Sequence, residues 1–125
     1  MKKLYEIGLN YAGLEEYCES DFVVFDSKED AENYIIKAAI KVMITKIPEE
    51  KMTELQKISQ KYFKKQIEEV TNDDVNNLKD IVKIYNELLK IQDKNLGVSG
   101  YFVEEINSFT DIYDNEYEII LKPKK

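Results

Sequence analysis

From Ala31 to Leu89 the apolar residues recur at intervals of three and four. No other feature constrains the fold as much. Such spacing gives each of a series of helices one apolar face. Ala31, Tyr34, Ile35, Ala38, Ala39, Val42 and Met43 form the first stripe. Ser27 stands before it as an N-cap, with Asp30 three residues later in a shortened capping box. Pro48 interrupts the pattern, and Glu49 and Glu50 after it suit a fresh helix start. Met52, Leu55, Ile58, Tyr62, Phe63 and Ile67 continue it. A third helix is predicted from Thr71-Asn72 through Leu89, on the stripe Val75, Leu78, Ile81, Val82, Tyr85, Leu88 and Leu89.

Outside this middle the pattern changes to short β-forming runs. Leu4–Leu9 and Phe22–Phe25 read as strands, with an acidic loop over residues 10–21 between them. Tyr101–Ile106 and Tyr117–Leu121 read as two more, joined by a polar connection over residues 107–115. The order β-β-α-α-α-β-β predicts a small α+β fold, one domain over residues 1–125, its mostly antiparallel sheet packed against three helices. A chain of 125 residues can bury a real core, roughly two-thirds of its unfolded surface being removed on folding.

The missing residue types narrow the chemistry. All 18 basic residues are lysine; arginine, histidine and tryptophan are absent. Without histidine there is neither a Ser-His-Asp nor a Cys-His arrangement, and the commonest metal ligand is gone. Without arginine no planar fork grips phosphate bidentately. Cys18 is the only cysteine, so an intrachain disulfide is excluded, and its neighbours Tyr17 and Glu19 do not favour a thiolate. It reads as an ordinary, partly buried residue. Gly8, Gly13, Gly97 and Gly100 fit no phosphate-binding loop. The pairs Glu15-Glu16, Glu68-Glu69, Asp73-Asp74 and Glu104-Glu105 read as solvated surface, since adjacent acids point in different directions. Asp111, Asp114, Asn115 and Glu116 offer oxygen ligands, but without the spacing or glycine of a calcium loop they read as an acidic hairpin. The chain is therefore read as a non-enzyme, with no cofactor and no metal. No apolar run is fit for a signal peptide or a membrane span, which implies a cytoplasmic protein with no membrane partner.

The formal net charge is -7. Residues 37–65 carry eight lysines against three acids, whereas the strand-bearing ends are acidic. A field of this sign disfavours nucleic acid and favours a larger protein with a basic surface. Glu15, Glu16, Glu19 and Asp21, with Glu104, Glu105, Asp111, Asp114 and Glu116, are the candidate partner-binding acids, and Tyr11 and Tyr113 the candidate anchors. The alternative is a nucleic-acid stripe of Lys57, Lys61, Lys64 and Lys65 on the second helix, against the plainer reading of a solvated face that balances acids elsewhere. Amphipathic helices in this number also leave homo-oligomerisation open.

The segment Phe22-Val23-Val24-Phe25-Asp26-Ser27-Lys28-Glu29-Asp30-Ala31-Glu32-Asn33-Tyr34-Ile35 resembles a pattern of small acidic phage and mobile-element proteins. In these a short strand ends at serine and a helix opens with acids, alanine and an aromatic residue. The likeness covers about the first 35 residues. Inhibitors of host defence such as anti-CRISPR proteins are of this kind, and toxin-neutralising immunity proteins look much the same. The resemblance implies a phage-encoded inhibitor that blocks the basic, nucleic-acid-binding surface of a host nuclease or defence complex, or else an immunity protein. It assigns no residue.

Overall fold

A computed structural model describes residues 1–13 and 17–124 of the chain. The fold is α+β. Strands β1 (Lys3–Tyr11) and β2 (Tyr17–Phe25) form an antiparallel hairpin in continuous register from Lys3 opposite Phe25 to Tyr11 opposite Tyr17. β3 (Val98–Glu105) pairs antiparallel on the other side of β1, giving the order β2-β1-β3. Helices α1 (Lys28–Thr45), α2 (Met52–Phe63), α3 (Asn72–Asn76) and α4 (Ile81–Leu89) lie between. β4 (Ser108–Thr110) and β5 (Glu116–Glu118) form a separate two-stranded hairpin.

β1 is the spine of the core. Alternation sends Tyr5, Ile7, Leu9 and Tyr11 to one face, and all four are buried. α1 packs over β1 and β3 on that face and scarcely touches β2. Its start is as the sequence indicates: Ser27 Oγ accepts from Asp30 N at 3.1 Å, with Glu29 and Asp30 in the first turn. Ala31, Ile35, Ile36, Ala39, Ile40 and Met43 form its buried face. That face is rotated from the predicted stripe, so Tyr34 points outward and its ring meets Phe25 at 5.5 Å between centroids. α4 packs against α1 and buries Ile81, Ile84, Tyr85 and Leu88. Val82, placed in the stripe by its spacing, is exposed.

Three expectations are corrected. Most of the predicted loop over residues 10–21 is strand, because the hairpin pairs as far as Tyr11 and Tyr17. The predicted third helix is two, α3 and α4. Thr71 opens α3 with a capping box to Asp74, and α3 stops at Asn76-Asn77, where asparagine side chains compete with the helical backbone. The predicted strand over Tyr117–Leu121 is shorter, and it pairs with β4 rather than joining the main sheet.

A buried glutamine ties the layers together. Gln92 Nε2 donates to Met43 O near the end of α1, and its Oε1 accepts from Val98 N at the start of β3, each at 3.2 Å.

Candidate protein-interaction surface

The helices cover only one face of the main sheet. On the other face stand Leu4, Glu6, Gly8 and Asn10 of β1, Ser20, Phe22 and Val24 of β2, and Gly100, Phe102 and Glu104 of β3, by the alternation and register of the strands. Phe22 is 56% exposed, and Val24 is also exposed. Glu6 lies directly opposite Glu104.

The β4-β5 hairpin is the second exposed element. It is tethered to the sheet where Ile106 N donates to Leu4 O at 2.9 Å, and it is held at its base where Ile119 N donates to Asn107 O at 3.2 Å. Asp111 builds its turn. One carboxylate oxygen accepts from Tyr113 N at 2.8 Å and Asn115 N at 3.0 Å; the other accepts from Asn115 Nδ2 at 3.3 Å and Tyr117 Oη at 3.1 Å. Desolvation raises the Asp111 pKa, but these hydrogen bonds outweigh it and hold the group below the usual carboxylate value. Asp114 supplies the left-handed turn residue at φ 65°. Phe109 faces Tyr117 across the ladder, and both are exposed. Ile112 (88%) and Tyr113 (77%) project at the tip.

The sequence-derived contact residues are thereby distributed over several places. Glu19 and Asp21 are exposed on β2, in register with Leu9 and Ile7. Glu104 is on the helix-free face, whereas Glu105 points to the other and pairs with Lys3 at 3.4 Å. Asp111, Tyr113, Asp114 and Glu116 gather in the hairpin, where Ser108 Oγ donates to Glu116 at 3.1 Å. Glu15 and Glu16 lie outside the described residues. Tyr11 is a correction: its ring is 4% exposed in the core, with Lys46 Nζ 4.8 Å from its centroid, so a partner cannot reach it. Sequence reasoning missed Phe22, Phe109 and Ile112 as surface residues. Alternation in β2, which sets Phe22 and Val24 opposite in facing to Val23 and Phe25, was the signal that could have found Phe22.

The lysines divide too. Lys57, Lys61 and Lys64 are exposed, and Lys64 is the left-handed cap that ends α2, at φ 59°. Lys65 lies past the helix, not on it as predicted, and pairs with Asp74 at 2.8 Å. Lys61 Nζ is 3.5 Å from Glu87, which also accepts a hydrogen bond from Tyr62 Oη. Hydrogen bonding with the Tyr62 hydroxyl and then the charge of Glu87 raise the Lys61 pKa. Two of the four lysines thus balance acids within the fold.

Among the described residues no group of three His, Cys, Asp or Glu side chains is placed to hold a metal ion. Among them, too, no helix is long and apolar enough to cross a membrane. Comparison with protein-family models, curated proteins and solved structures finds no match.

Proposed function

We propose that this protein is a non-enzymatic inhibitor that binds a larger protein and covers its basic, nucleic-acid-binding surface. The target class is a host nuclease or defence complex, and the source a phage. One observation carries the reading. The β4-β5 hairpin presents Phe109, Ile112, Tyr113 and Tyr117 to solvent among Asp111, Asp114, Glu116 and Glu118, with no lysine between Ser108 and Glu118. Exposed aromatic residues in an acidic frame have interface composition, and acids spaced on a rigid turn compete with phosphates for a cationic groove.

The test is capture of the target by the tagged protein at stepped salt, with nucleic acid as competitor. A basic protein should be retained at roughly 0.1 M salt, released well before 1 M, and displaced by nucleic acid. An Asp114→Lys/Glu116→Lys variant, folded by circular dichroism, should lose it. Salt-insensitive capture, or capture undiminished by the reversals, would sink the reading. Recovery of nucleic acid alone would move the function to Lys57 and Lys64.

A further inference from the structure

We infer that the helix-free face of the main sheet docks a cationic amphipathic helix of the partner protein. The inference deepens the inhibitor reading and rests on it. A sheet with helices on one side only leaves its second face to solvent, which is sustainable when that face is polar. Here it is not uniformly so. Phe22 and Val24 are exposed on β2, Leu4 is half-buried opposite Val24, and Phe102 is half-buried across β1 on β3. Gly8 carries no side chain, and the Phe102 ring closes over it, so the middle of the face is a low apolar floor rather than a ridge.

The charges on this face are of one sign. Glu6 and Glu104 are direct cross-strand partners, which sets their Cβ atoms about 4.5–5.5 Å apart. Like charges in that position destabilise a ladder. Among the described strand residues of this face none is a lysine, although the chain has 18 basic residues. Lys2, at the end of the face beside Leu4 and Val24, is paired with Asp26 at 2.9 Å, and Lys3 is paired with Glu105 on the helix side at 3.4 Å. A cation brought by another molecule over the Glu6–Glu104 pair would gain from both carboxylates and relieve their repulsion.

Size and symmetry choose the occupant. Three strands span about 10 Å and nine residues run about 30 Å, the footprint of one helix about 10 Å across. Its apolar stripe would lie on Phe22, Val24 and Phe102, with lysine or arginine over Glu6 and Glu104. A second copy of this chain fits badly. Face to face, it would gather four carboxylates. Paired along the open β2 edge about its central residue, it would set Asp21 against Asp21.

The test uses an 18-residue amphipathic Leu/Lys helical peptide, its scrambled isomer, and isotope-labelled protein. The helical peptide should shift the amide signals of Leu4, Glu6, Phe22, Val24, Phe102 and Glu104, and the scrambled one should bind at least about tenfold more weakly. Glu104→Lys should raise the melting temperature, by ending the like-charge pairing, while weakening the peptide about tenfold. Phe22→Ser should weaken it comparably. Shifts confined to the hairpin or the helices, equal binding of the scrambled isomer, or full binding by Glu104→Lys would each overturn the inference. The two readings fail separately. Target capture lost on Asp114→Lys/Glu116→Lys but untouched by Glu104→Lys would remove this surface and keep the inhibitor. Peptide docking here with no basic target captured would do the reverse.

Discussion

The ring of Phe102 closes over Gly8: a Cβ built on Gly8 would lie 2.6 Å from Phe102 Cζ and 2.2 Å from Glu19 O. The glycine is therefore required by close approach, from a side chain on one neighbouring strand and the backbone of the other. Gly8→Ala should destabilise the protein by about 1–3 kcal/mol in denaturant unfolding. Adding Phe102→Ala should recover only part of this, because the carbonyl of Glu19 cannot move aside without breaking the β1-β2 ladder. Full recovery in the double variant would show that the carbonyl contact yields freely.

Gln92 bonds at both ends from inside the core. In Gln92→Leu, Met43 O keeps its bond from Lys46 N at 3.1 Å, but Val98 N–H is left buried without a partner. The expected cost is about 1–3 kcal/mol, and the amide of Val98 should lose hydrogen-exchange protection more than those of β1.

Asp111 makes the hairpin acid-sensitive. Its pKa is lower folded than unfolded, where the ordinary value is 3.8, so at low pH the unfolded form binds the proton more readily. Its stabilisation is complete above that ordinary value and is lost as pH falls through the lower, folded one. Amide signals of Tyr113 and Asn115 should collapse toward random-coil positions in acid before those of β1. Asp111→Asn should show the collapsed signals already at neutral pH; native signals there would refute the role of the carboxylate.

Asp74 is held by Lys65 first and by Thr71 N second, and both lower its pKa. The sign is the same: the contribution is present above 3.8 and lost as pH falls through the folded value. Thr71→Ala removes the reciprocal cap and should cost about 1 kcal/mol by thermal melts at neutral pH. A variant as stable as the parent would mean that α3 is held by packing alone.

Local patterns in the sequence carried much of the fold. The Ser27 cap, the break at Pro48 and the helical spacing after each depend on residues a few positions apart, and both helices are found where that spacing lies, although α2 ends at Phe63, short of the predicted Ile67. The acidic hairpin was legible in the same way, because Asp111, Asp114 and Asn115 make a turn from their own neighbours. What the sequence could not give was anything set by contacts across long separations. Residues 17–21 are strand because β1 lies opposite them; their own acidic composition reads as loop. Tyr11 is core because the bulged pairing with Val98 carries β1 one residue further under the helices. The Glu6–Glu104 pair joins residues at opposite ends of the chain, and only the register of three strands, set by burial of Tyr5, Ile7 and Leu9 beneath α1, brings them face to face.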